Sequence, residues 1–362
     1  MVRTYLYGII DSGDEAGLGM TGLDGASSVY SVGHEGIGCV VSDYHGEPLQ
    51  SLPKEEVLRR LFAHQEVTEG ATRRRHAVLP VKFGTMVNTP DEVRGLLAQG
   101  HQQFVGALSF IQDKVELDVA ATWHMEQELQ AVAEEEKVTQ ARDALASRGQ
   151  PTLEQRVQLG QMVKASLDRR RDSYRKQMVD FLGPQAVDVA VNALVSDEMV
   201  MNVAFLVECA RQDEFDSAVR QLDDLFKNQF TFRVIGPLPP YSFATVEVAR
   251  LTSAQIDEAR RMLGLGDMAP EGDIRKAYRH LAAGLQRTLG PGEKPDKGHL
   301  ARLRQSSDLL LRYRRAQKEG QLGGGGRGFG SHDDRDGFFT VGIKRSESHE
   351  VEATRFGAAE AR

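Results

Sequence analysis

The sequence predicts an α+β chain: two mixed domains, the second a modified ferredoxin-like fold, followed by a small three-helix module and a flexible tail. Three observations carry that prediction. Short runs rich in β-branched and aromatic residues interleave with amphipathic stretches up to about residue 250. From Thr252 to about Lys318 the pattern is helical only. Beyond Gly320, glycine and charge displace apolar residues. At 362 residues the chain is too long for one typical core, and the pattern divides it at 1–112, 113–250, 251–319 and 320–362.

In the first domain, Thr4 to Ile10 reads as a strand and Asp11 to Gly25 as a Gly- and Asp-rich loop. The clustered glycines Gly17, Gly19 and Gly22 lack the lysine of a phosphate-cradling loop. Val29 to Val32 and Ile37 to Ser42 are strands about the turn His34-Glu35-Gly36. A helix starts at Ser51-Leu52-Pro53-Lys54-Glu55-Glu56, where Ser51 can cap, Pro53 suits the first turn and the acidic pair favours the positive dipole end. Val57, Leu58, Leu61 and Phe62 give it an apolar stripe, and His64, Val67 and Glu69 follow. Ala77 to Thr85, AVLPVKFGT, sets Pro80 inside an apolar run. Proline donates nothing to a ladder, so this strand is an edge, a bulge or a bend. Gly84 then allows an angle or a close approach that a side chain forbids. Thr89-Pro90-Asp91-Glu92 opens a short helix, and a further helix runs to about Gln112.

In the second domain, Val115 to Trp123 alternates as a strand does. Glu126 to Ser147 is helical, with Leu129, Val132, Val138 and Leu145 toward the core and Glu134-Glu135-Glu136 on a solvated face. Gly149-Gln150-Pro151 breaks it. Leu153 to Leu182 is a second helix, with Val157, Val163, Leu167, Tyr174 and Met178 as core contacts and Arg169-Arg170-Arg171 as an exposed basic turn. Met199 to Cys209 is a strand and Glu214 to Lys227 an amphipathic helix. Phe230 to Ile235 and Tyr241 to Val248 are strands joined by a Pro-rich turn. This order is compatible with a modified ferredoxin-like sandwich.

The third segment changes in charge as well as in pattern. Ser253 to Leu263, Gly272 to Leu285 and His299 to Arg315 are helices, and residues 251–319 hold fourteen Lys and Arg against nine Asp and Glu in a chain of net charge -7. Met262-Leu263-Gly264-Leu265 with Ile274 to Ala282 resembles the first half of a J-domain. That family carries His-Pro-Asp after this helix, needed to stimulate DnaK-type chaperones. Gln286, Arg287 and Thr288 stand at those positions, so a basic docking or packing module is the expectation. Gly320 to Gly330, with Arg327, reads as a linker, and Ser331 to Arg362 as disordered apart from a short strand at Phe338 to Ile343.

Composition excludes several classes. Net charge -7 argues against a general nucleic-acid binder. No apolar stretch reaches the ~20 residues that span a bilayer, and no secretory signal is visible, so a cytosolic protein is expected. Cys39 and Cys209 both lie in apolar strand-like runs, which predicts two buried free thiols. His64 and His76 lack a partner at metal spacing, and a structural, hydrogen-bonded His64 is expected. Neither a nucleophile elbow nor a Cys-His pair nor a discrete carboxylate pair stands out, so no enzyme and no cofactor is expected.

Tyr5-Leu6-Tyr7-Gly8-Ile9, the helix with His64, AVLPVKFGT, Lys114 to Val119 and Gly236-Pro237-Leu238-Pro239-Pro240-Tyr241-Ser242-Phe243 come in an order and at separations that resemble the GvpL/GvpF family of gas vesicle proteins. The resemblance covers about the first two-thirds of the chain. It implies a structural or assembly role at the gas vesicle: binding the very hydrophobic shell subunit, beside other accessory proteins, or forming a minor part of the wall. An exposed apolar face must be covered, by strand addition or an apolar groove. Tyr5, Tyr7, Phe83, Tyr241 and Phe243 are candidate interface aromatics. Gly8, Pro80, Gly84 and Thr85 complete the motif positions, and Pro80, Gly84, Pro239 and Pro240 shape the backbone. Two other readings are a chaperone-linked adaptor acting through the basic module and a nucleic-acid-associated protein.

Overall fold

Alternation at period two builds the first sheet. The computed structural model describes residues 2–74, 77–147, 150, 152–227, 229–267, 269–287, 297–318 and 338–344. Arg3–Ile10 (β1) pairs antiparallel with Ile37–Tyr44 (β4), which pairs with Ser28–His34 (β3). Glu35 and Gly36, at φ 44° and 87°, make the tight connection between β3 and β4, and such hairpin turns need left-handed backbone. Gly17–Thr21 (β2) adds to β3 at Gly17↔Tyr30 and Thr21↔Ser28. This strand lies inside the stretch expected as loop. Its glycines disfavour a strand, but Leu18 is buried and the β3 edge supplies the pairing.

Lys54–Arg73 (α1) follows, then the three-residue strand Val78–Pro80 (β5) and Met86–Val87 (β6), which pairs with β1 at Thr4 and Tyr5. The α1 stripe is not the buried face. His64, Val67, Thr68 and Ala71 are buried, whereas Leu58 and Phe62 are exposed. Pro90–Ile111 (α2) is one helix of 22 residues rather than two. Val93, Leu96, Leu97, Phe104 and Leu108 form one buried stripe that carries the helix through Gly95, Gly100 and Gly106.

The second sheet starts with Lys114–Trp123 (β7). Met125–Ala133 (α3), Glu136–Ala146 (α4) and Leu153–Leu182 (α5) form its first crossover. Asp188–Val191 (β8), Met199–Glu208 (β9), Gln212–Leu225 (α6) and Phe230–Leu238 (β10) complete it. The sheet order is β10-β7-β9-β8 and every pair is antiparallel. The connectivity is β-α-β-β-α-β, with split βαβ crossovers. β8 lies where no strand is expected from the sequence, and the strand expected at Tyr241 to Val248 starts only at Thr245 and lies outside this sheet. Trp123, Met178, Leu182, Phe205, Phe215 and Phe230 lie in the core between this sheet and its helices.

Several expectations fail in this region for local reasons. The helix expected from Glu126 to Ser147 breaks at Glu135, which has extended dihedrals, opens α4 and accepts from Ser166 Oγ. Leu129 and Val157 are exposed. Arg170 and Arg171 sit within α5 rather than on an exposed turn. Arg170 pairs with the buried Glu128 at 2.7 Å, and Arg171 pairs with Asp168 while lying 5.0 Å from the Trp123 ring. Cys39 is buried in β4, but β9 stops at Glu208 and Cys209 is exposed, its amide bonded to the Asp113 carbonyl. Both thiols are free.

Thr245–Leu251 (β11) pairs with Phe338–Lys344 (β12) in a sheet of two strands. Ser253–Met262 (α7), Glu271–Arg287 (α8) and Lys297–Lys318 (α9) lie between them in sequence and pack on Ile256, Leu263, Ile274, Leu303, Leu310 and Tyr313. Thr252 caps α7 in a reciprocal box with Gln255. The expected linker 320–330 with Arg327, the tail outside 338–344, His76, Gly149, Pro151 and Thr288 lie outside the described residues. Over the described residues the chain forms two compact units. One draws on 1–71, 81–107 and 246–343, the other on 72–80, 108–245 and 344–362.

Candidate functional site

β1 aims Tyr5 and Tyr7 at one aromatic cluster. The β1–β4 register shifts between Leu6 and Gly8, leaving Tyr7 as the extra residue of a bulge, and bulges re-aim side chains. Tyr5 and Tyr7 rings lie 4.9 Å apart, and His64 from α1 stacks on Tyr7 at 5.6 Å. Phe83 meets His64 edge-on at 5.7 Å. The Gly84 amide donates to the Tyr5 hydroxyl at 3.0 Å, which leaves the Tyr5 proton for His64 Nδ1, also at 3.0 Å. Gly84 has φ 87°, a left-handed angle that glycine adopts without strain. Thr85 closes the loop through Lys82 O and accepts the Leu6 amide. Tyr7 OH bonds Ser42 Oγ and accepts the Leu23 amide.

Tyr5, Tyr7 and His64 are buried. Burial pushes Tyr7 up to about 12 and Tyr5 higher still, and it lowers His64 to about 4 despite a bond to the Val81 backbone. A neutral, sealed imidazole bonded to a tyrosine is a structural bracket, as the sequence expectation for His64 had it.

In the other unit, Tyr241 and Phe243 belong to a loop clamped by a carboxylate. Glu116 of β7 accepts from the Ser242 amide and from Ser242 Oγ, both at 2.8 Å. Phe243 packs with Ala190, Ala204, Leu206 and Phe110. Desolvation, then the neighbouring charge of Asp118, raises Glu116 well above the usual carboxylate range. Asp118 is raised too, by desolvation. The two stand two residues apart on one face of β7. Gly236 fits beneath this loop because a Cβ there would stand 2.8 Å from Glu116 O. Sequence reading missed Glu116 and Asp118 as a pair. The signal was present as carboxylates at alternate positions of an otherwise apolar strand.

The motif residues thus gather as Tyr5, Tyr7, Phe83, Gly84 and Thr85 in one place and Tyr241 and Phe243 in another. Gly8 is buried beside the β1 bulge, and Pro80 ends β5. Tyr5, Tyr7 and Phe243 are buried, while Phe83 and Tyr241 are half-buried. Apolar surface lies elsewhere. β10 ends its sheet, so one of its backbone edges has no strand partner among the described residues. Residues 233–237 of that edge strand are exposed, including Val234 at 39% and Ile235 at 40%. Leu58 with Phe62, and Leu153 with Val157, are further exposed i,i+4 pairs. No helix among the described residues is long and apolar enough to cross a membrane.

Comparison with known proteins converges on one group. The model of the family described as gas vesicle synthesis protein GvpL/GvpF matches residues 3–245. The chain is 32% identical to gas vesicle protein F of a Streptomyces species, over 67% of this chain and 99% of that one. It is 24% identical to gas vesicle protein L1 of Halobacterium salinarum, over 66% and 89%. The crystal structure of gas vesicle protein GvpF from Microcystis aeruginosa superposes with a TM-score of 0.56 at 26% identity, covering 67% of this chain and 98% of that one.

Proposed function

This chain belongs to the GvpL/GvpF family of gas vesicle synthesis proteins, and from that premise we propose that it serves gas vesicle assembly by holding the hydrophobic shell subunit on the open edge of β10. The supporting observation is the edge itself. A nine-residue strand with unpaired backbone and exposed Val234 and Ile235 is what most proteins avoid, because it invites another strand to add. A partner strand gains main-chain hydrogen bonds there, and an apolar partner also covers the two side chains. Among the motif residues, Tyr5, Tyr7, Gly8, Pro80 and Phe243 set the shape of the loops, with Phe83, Gly84, Thr85 and Tyr241 at their accessible margin. No bond-making step is part of this reading.

Co-purification of the shell subunit from cells that express both proteins tests it. We expect the full chain carrying Val234→Lys and Ile235→Lys to recover at least roughly tenfold less subunit, since lysine on an edge strand blocks pairing. A chain ended after residue 250 should still recover it, because the family match stops at residue 245. Equal recovery by the lysine variant would remove β10 as the binding edge.

A further inference from the structure

The helical segment after residue 251 lies outside the family match and outside the function proposed above. α8 presents Arg275, Tyr278 and Arg279, spaced to share one helix face. α9 presents Arg304, Asp308 and Leu311, likewise on one face. These two faces line a single open groove. Tyr278 and Leu311 are half-buried, whereas Arg275, Arg279 and Arg304 are exposed.

The arginines of this groove differ from others in the module. Arg312 pairs with Glu247 at 3.1 Å and Arg260 with Asp267 at 3.0 Å. Among the described residues, no carboxylate lies within ion-pair distance of Arg275 or Arg279, and Arg304 reaches only Asp308, at 4.0 Å. Glu271, which feels the Arg275 charge, is bonded to Lys318. The groove therefore holds apolar surface at Tyr278 and Leu311, and its α8 wall carries two arginines without an ion-pair partner among the described residues, while Arg304 on the α9 wall is offset by Asp308.

We propose that this groove docks an acidic amphipathic helix of a partner protein. Its apolar stripe would lie on Tyr278 and Leu311, and its carboxylates would meet the guanidiniums, whose forked donors match carboxylate geometry. A phosphate backbone fits less well. Tyr278 and Leu311 offer apolar surface, which an apolar helix stripe covers and a sugar-phosphate backbone does not.

The test uses the full chain and fluorescence anisotropy. One probe is a labelled synthetic helix with a leucine stripe flanked by glutamates. The second has lysine at every glutamate, and the third is a labelled single-stranded DNA. We expect the acidic helix to bind, with an affinity that falls as salt rises. In Arg275→Glu/Arg279→Glu it should bind at least about tenfold more weakly, and the lysine helix should gain affinity in the same variant. That gain requires a folded groove, so misfolding cannot imitate it. Leu311→Ala should weaken the acidic helix severalfold. Equal binding of the two helices, indifference to charge reversal, or tighter binding of the DNA would overturn the proposal. So would acidic-helix binding that appears only after removal of residues 345–362, because the chain's own Glu347, Glu350 and Glu352 would then be the occupant.

Discussion

Desolvation acts on His64 and Glu116 in opposite directions along the pH axis. His64 falls from 6.5 to about 4 on folding, so the unfolded chain binds more protons between those values. Its contribution to stability is complete above about 6.5 and disappears as pH drops through 4, on the order of 3 kcal/mol in all. Glu116 is raised above its usual 4.5, so there the native state holds the extra proton. Its contribution is complete below 4.5 and is lost as pH climbs toward and past neutrality. Urea titrations across this range should therefore give a maximum of stability on the mildly acidic side of neutral. Glu116→Gln, which keeps a neutral side chain at every pH, should flatten the alkaline decline and leave the acid limb unchanged. An unaltered alkaline limb would mean that Glu116 is ionised in the native state. His64 was legible as a structural histidine from its place on a helix with no partner at metal spacing. The Glu116–Asp118 pair was not, because charged residues in a strand ordinarily mark its wet face, and here the Ser242 loop covers that face.

At the level of elements, periodicity found most of the helices and strands and mistook several of their faces. Arg3–Ile10, Ile37–Tyr44, Leu153–Leu182 and the helices of the third segment lie where their patterns put them. Gly17–Thr21 and Asp188–Val191 were missed because short strands take their stability from a neighbour's edge rather than from their own composition. On α1 and α5 the apolar side chains outnumber the positions that face the core, so the stripes at Leu58 with Phe62 and at Leu153 with Val157 lie open. Truncation measures this directly. Met178→Ala removes a fully buried side chain from the second sheet's core and should cost about 2–4 kcal/mol. Leu153→Ala, at the exposed start of the same helix, should stay within about 0.5 kcal/mol. Chemical denaturation reads both, and similar costs would show that the start of α5 packs as its end does.

For the molecule as a whole, the family was legible because its motifs are backbone devices. A bulge before Gly8, a left-handed Gly84 and a cramped Gly236 each tie a local backbone geometry to a residue visible in the sequence. What composition did not carry is the association of residues 246–343 with 1–71 and 81–107 in one unit. Val246 joins Val81 by a parallel bridge, and Lys82 pairs with Glu247 at 2.9 Å, contacts that only the folded chain brings together.

That bridge orders events on the ribosome. Translation runs at roughly 5–20 residues per second, so Val246 follows Val81 out of the exit tunnel on the order of ten to thirty seconds later. Throughout the wait, the backbone amide of Lys82 must look to water for the acceptor that the Val246 carbonyl later provides. The nascent polypeptide therefore displays an unfinished seam before its own downstream half arrives to close it.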